Sequence, residues 1–68
     1  MNILSGKDLE KVVKAEGWTL LRIQGSHHIY GKEGSDVRLS IPIHGNRPLK
    51  RGLQARLLKL AEIDPESV

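Results

Sequence analysis

The 68-residue sequence predicts an α+β fold of order α-β-β-β-α, a three-stranded antiparallel sheet with both helices on one face. Three observations carry this. Two segments, Gly6 to Glu16 and about Gly52 to Ile63, each hold a single apolar stripe at helical spacing. Between them, Val37, Leu39, Ile41 and Ile43 alternate with Arg38, Ser40 and Pro42, the period of a half-buried strand. Helices with one apolar stripe each and a single meander sheet satisfy one another only by packing on the same sheet face, so the other face stays open.

The first helix starts at Ser5, whose hydroxyl is suited to cap the free N–H groups of the first turn, with Asp8 three residues on. Leu9, Val12 and Val13 form its apolar stripe, Lys7, Lys11 and Lys14 lie on the opposite one, and Gly17 is the expected stop. Trp18, directly after the stop, reads as a core residue. Trp18 to Gln24 is short, apolar and partly β-branched, and ends at Gly25-Ser26. Gln24 to Tyr30 follows as a second strand, and the run from Gly31 through Gly34 to Ser35 has the composition of a hairpin loop. Pro42 cannot donate to a ladder, so the third strand ends or has an edge there. From His44 to Arg51 the chain is polar and basic. Leu53, Leu57, Leu60 and Ala61 are the expected apolar stripe of the final helix, with Arg56, Lys59 and Glu62 outward, and Asp64-Pro65 breaks it.

At this length residues 1–68 make one domain with one modest core. The chain has no cysteine, which excludes disulfides, thiolate chemistry and Cys-based zinc sites. No apolar run approaches the roughly 20 residues of a bilayer span. The N-terminus lacks the basic start and apolar stretch of a signal peptide, so a cytoplasmic location is expected. Lys plus Arg number 11 against 8 Asp plus Glu, a net +3 whose distribution matters more than its size. With no Phe, one Trp and one Tyr, there is no extended aromatic platform for stacking single-stranded bases.

Three segments carry the chemistry: Gly25-Ser26-His27-His28-Ile29-Tyr30, then Ile41-Pro42-Ile43-His44-Gly45, then Leu49-Lys50-Arg51-Gly52-Leu53. As an ordered set, each on its own type of element, they resemble the HicA family of toxin–antitoxin ribonucleases, over nearly the whole chain from Leu9 to Ile63. The resemblance implies a metal-independent endoribonuclease that cleaves mRNA, uses no cofactor and is neutralised by a HicB-like antitoxin. It places the family's catalytic histidine on His27. His28 occupies a position that the family varies, and His44 matches a second recurrent histidine. Ser26, His28, Tyr30 and His44 are therefore the supporting candidates. Many relatives continue past the equivalent of Ile63 into another partial helix. The α-β-β-β-α order is also that of double-stranded-RNA-binding domains, which place a basic cluster just before the last helix.

The chemistry is consistent with those residue types. RNA supplies its own nucleophile, the 2′-OH, so cleavage needs a base, a proton for the leaving group and charge stabilisation. A histidine, with its ordinary pKa of about 6.5, suits the acid or base role. Lys and Arg stabilise the developing phosphorane. Arg47, Lys50 and Arg51 precede the final helix, whose free N–H groups favour anions, and are read as phosphate contacts. Lys7 and Lys11 are either further phosphate contacts or the solvated face of an amphipathic helix. Adjacent strand residues point apart, so His27 and His28 do not chelate one ion, and no metal is expected.

Strand alternation puts His28 and Tyr30 on one face and His27 and Ile29 on the other. If Ile29 faces the helices, His27 does too, and whether His27 or His28 meets substrate stays open. The alternative to an enzyme is a non-catalytic RNA-binding module of the same fold, with His27 structural; a pure protein-interaction domain is a third reading.

Overall fold

A computed structural model describes residues 1–68 and has the expected order: α1 (Gly6–Ala15), β1 (Thr19–Gln24), β2 (His27–Gly31), β3 (Leu39–Pro42) and α2 (Arg51–Leu60), closed by a 3-10 turn at Pro65–Ser67. The strands form one antiparallel sheet with β2 in the centre. Tyr30 pairs with Leu39, and His28 with Ile41, so these four share a face. Tyr30, Leu39 and Ile41 are fully buried in one cluster with Leu9 and Val13 of α1 and Leu57 and Leu58 of α2. Both helices therefore cover the same sheet face, through one continuous core.

Ser5 caps α1 as expected, its Oγ accepting from the Asp8 backbone N–H at 3.2 Å. Gly6 then packs directly on the end of β3: a Cβ there would lie 2.1 Å from the Pro42 carbonyl oxygen. Trp18 is buried in the core, as its place after the helix stop suggested.

Several boundaries and one stripe differ from expectation. The second strand begins at His27 rather than Gln24, because Gln24 closes β1 and pairs across the hairpin with His27. Val37 and Ile43 lie outside β3, whose ladder stops at Pro42 for want of a donor. In α2 the buried residues are Gln54, Leu57, Leu58 and then Ala61, while Leu60 is 42% exposed and Leu53 only half-buried. Four leucines in one ten-residue helix fit more than one stripe, and the packing selects the one that includes Gln54. That glutamine has a use that an apolar residue lacks. Its Nε2 donates to the Asn2 carbonyl and its Oε1 accepts from the Leu4 N–H, both at 2.7 Å. Leu4 in turn accepts from the Leu49 N–H at 2.8 Å, and Ser5 bridges to Pro48. The N-terminal segment is thus a clamp between α2 and the loop that precedes it.

Strand β1 is an uncovered edge. All six of its residues are exposed, Leu20, Leu21 and Ile23 among them, because both helices lie over the β3 side. A bulge between Leu20 and Arg22 turns Leu21 onto the open face, against Gly31.

Candidate functional site

The site begins with a tight hairpin. Gly25 and Ser26 are the only residues between paired Gln24 and His27, and Gly25 has φ 58°. A positive φ at the first central position is the geometry that suits the right-handed twist of two paired strands, and glycine adopts it without a Cβ clash. The Ser26 carbonyl accepts from the Ile43 N–H at 2.8 Å, which ties the turn to the end of β3. His27 is therefore the first residue of the central strand, flanked by Gln24 on β1 and Pro42 on β3.

Its neighbour decides which way it faces. His28 Nδ1–H donates to Glu10 Oε2 on α1 at 2.6 Å, and the Tyr30 hydroxyl donates to the same oxygen at 2.5 Å. His28 and Tyr30 thus point to the helices, and alternation sends His27 and Ile29 to the open face. Ile29 is buried yet lies outside the core cluster that joins the helices to the sheet. The alternation that couples Ile29 to His27 holds, and the face they share is the one away from the helices, with His27 exposed.

Glu10 has no distinctive sequence signal, since it looks like any polar residue beside the Leu9–Val13 stripe. Burial acts to raise its carboxyl, but the hydrogen bonds from Tyr30 and His28, with the charges of His28 and Lys14, outweigh it and hold the group below its ordinary value. Burial, then the hydrogen bond and charge of Glu10, pushes the Tyr30 phenol well above its ordinary value. Tyr30 is fully buried and its hydroxyl is committed to Glu10. Its placement makes it a structural residue, and His28 has its Nδ1 committed in the same way.

Beside His27 the chain forms a cleft of about 580 Å³, lined by Pro42, His44, Arg47, Pro48, Leu49, Lys50 and Leu53. Pro42 is the cross-strand partner of His27, so the histidine stands at the edge of this cleft. Of the three basic residues expected before α2, Arg47 and Lys50 line the cleft, while Arg51 is the exposed first residue of the helix. Lys50 occupies the N-cap position with no side-chain cap, so the first N–H groups of α2 have no side-chain acceptor from it. Lys7 and Lys11 are exposed on α1 and do not line the cleft. Lys7 follows Gly6, which abuts Pro42, and so lies at the same end of the sheet as His27.

An exposed imidazole, a cleft with two cations and an uncapped helix start together form a surface that attracts anions. No helix of the chain is long and apolar enough to cross a membrane. A family model described as the HicA toxin of bacterial toxin–antitoxin systems matches residues 6–63, the stretch that contains every element above except the closing turn. No curated protein matches the chain.

Proposed function

The chain belongs to the HicA family of toxins from bacterial toxin–antitoxin systems, and from that premise we propose that it is a metal-independent endoribonuclease acting on mRNA in the cytoplasm. The observation that carries the reading is the place of His27: exposed on the open face of the central strand, at the edge of a cleft lined by Arg47 and Lys50.

In this reading the 2′-OH of the substrate attacks the adjacent phosphorus, the P–O5′ bond breaks, and the products are a 2′,3′-cyclic phosphate and a free 5′-OH. His27 takes the proton from the 2′-OH or supplies one to the departing 5′ oxygen. Arg47 and Lys50, with Arg51 at the helix start, hold the phosphates and offset the charge that builds on the phosphorane. Ser26 sets the turn that presents His27. His28 and Tyr30, through Glu10, anchor the strand from the other side. The antitoxin that the family implies is a HicB-like protein, and it neutralises the toxin by covering His27.

A non-catalytic RNA-binding module remains the second reading, favoured by one observation: none of the side-chain hydrogen bonds in the chain orients His27. One experiment separates the two. Single-stranded RNA is incubated in EDTA with the chain and with a His27→Ala variant whose circular dichroism matches it. The expected result is cleavage to cyclic-phosphate ends by the parent, and a loss of about 100-fold or more in the variant, the scale of one acid–base group. Equal cleavage by both removes His27 as the catalyst, and binding without cleavage by the parent establishes the second reading.

A further inference from the structure

The cleft beside His27 has a composition that phosphate binding alone does not explain. A surface that holds only backbone phosphates needs cations and N–H donors. This one also has Leu49, buried at 7% exposure, half-buried Leu53 and Pro42, and Pro48. His44, Arg47 and Lys50 complete the lining. None of the seven residues is acidic. Apolar surface and a flat imidazole in the same cleft as two cations match one ligand class: a nucleobase that remains joined to its phosphate. The volume of about 580 Å³ falls within the range of about 300–1,000 Å³ in which small-molecule clefts lie.

We infer that this cleft is a nucleotide subsite, which takes the RNA nucleotide next to the scissile bond and makes His44 a specificity-determining residue. The inference rests on the ribonuclease reading above. The base lies over Leu49 and Leu53 and stacks on the His44 imidazole, as unpaired RNA bases stack on aromatic side chains. Its phosphate meets Arg47 and Lys50. Pro42 pairs with His27 across the sheet, so that same phosphate, the one attacked by the 2′-OH of the seated nucleotide, lies on the His27 side of the cleft. The loop that carries His44 and Arg47 is held at both ends, by the Ile43 N–H to the Ser26 carbonyl at 2.8 Å and by the Leu49 N–H to the Leu4 carbonyl at 2.8 Å. The backbone of the subsite is therefore anchored on both sides.

The test uses the whole chain, isotope-labelled, titrated with adenosine and uridine 3′-phosphates and, separately, with inorganic phosphate. Both nucleotides are expected to shift the Leu49 and Leu53 methyl resonances, and to bind about tenfold more tightly than phosphate, the scale of one stacked base. His44→Ala and Arg47→Ala are each expected to weaken nucleotide binding about tenfold while the remaining spectrum stays that of the folded chain. On an oligonucleotide substrate His44→Ala raises KM more than it lowers kcat, and alters which phosphodiester is cut. Phosphate binding as tightly as the nucleotides, or shifts that bypass Leu49 and Leu53, overturns the subsite and leaves a plain anion patch. The His27→Ala variant tells the two readings apart. Nucleotide binding intact in a chain that never cleaves RNA supports the subsite and overturns the ribonuclease reading alone. Cleavage that depends on His27 but is indifferent to His44 and Arg47 does the reverse.

Discussion

Two helix ends show how much a single residue decides. Both helices close with the same pair of hydrogen bonds. In α1 the Trp18 N–H reaches back to Val13 and the Gly17 N–H to Lys14; in α2 the Ile63 N–H reaches Leu58 and the Glu62 N–H reaches Lys59. The left-handed position is Gly17 in the first case, at φ 93°, and Glu62 in the second, at φ 58°. Gly17 was legible as a stop because glycine is the residue that this conformation favours. Glu62 was not, since nothing about a glutamate announces a positive φ. A non-glycine residue there carries about 1–2 kcal/mol of strain. Glu62→Gly is therefore expected to stabilise the chain by about 1 kcal/mol after the extra freedom of glycine in the unfolded state is counted. Thermal denaturation reads this as a rise of about 4–8 °C in Tm. Glu10 leads to a pH-dependent expectation. Its carboxyl titrates lower in the fold than its ordinary value, so it contributes stability above that ordinary value, and the contribution is lost as pH falls through the folded value. In urea unfolding across that acid range, Glu10→Gln should flatten the fall of stability with pH. An unchanged acid limb would show that the Glu10 hydrogen bonds from His28 and Tyr30 do not couple to folding.

At the scale of elements, capping and strand ends are legible wherever one residue type dominates: Ser5 before α1, Pro42 at the end of β3. The final helix was harder. Leu53, Leu57, Leu58 and Leu60 compete for one face, and the buried side includes a glutamine that apolar periodicity discards. Likewise, alternation alone says that His27 and His28 face opposite ways but not which way each faces. Only the long-range bonds of Glu10 to β2 settle that, and no local pattern encodes a contact 18 residues apart. The α1–β3 contact depends on Gly6, where any side chain meets the Pro42 carbonyl. Gly6→Ala improves intrinsic helix propensity by about 1 kcal/mol. The clash nevertheless makes it destabilising by about 1–3 kcal/mol, the usual cost of overpacking. Chemical denaturation measures the sign directly, and a more stable variant would mean that the helix shifts freely on the sheet.

For the molecule as a whole, the net +3 is unevenly arranged. Arg47, Lys50 and Arg51 gather around the start of α2, at the end of the sheet where β2 begins. If these three cations make the phosphate contacts proposed above, affinity for single-stranded RNA falls with a slope of about −2 in log K against log salt concentration, from about 0.7 per phosphate neutralised. Filter binding across a salt series checks it, and Arg47→Ala should reduce the slope by nearly one phosphate equivalent. A flat response would place RNA elsewhere. Residue types announced the cations and the histidine, but the cleft between them is a product of chain crossing. It is assembled from the end of β3, the loop after it and the first turn of α2, and its back is held by a segment more than 40 residues earlier in the sequence.

That clamp sets an order in time. During synthesis Asn2, Leu4 and Ser5 are made first, yet their partners are Pro48, Leu49 and Gln54. The loop that borders His27 cannot be tied in place until the N-terminal segment meets residues made more than 40 positions later. A nascent chain therefore carries His27 without the finished cleft beside it, which is complete only when the second helix has been made and the N-terminal segment has closed on it.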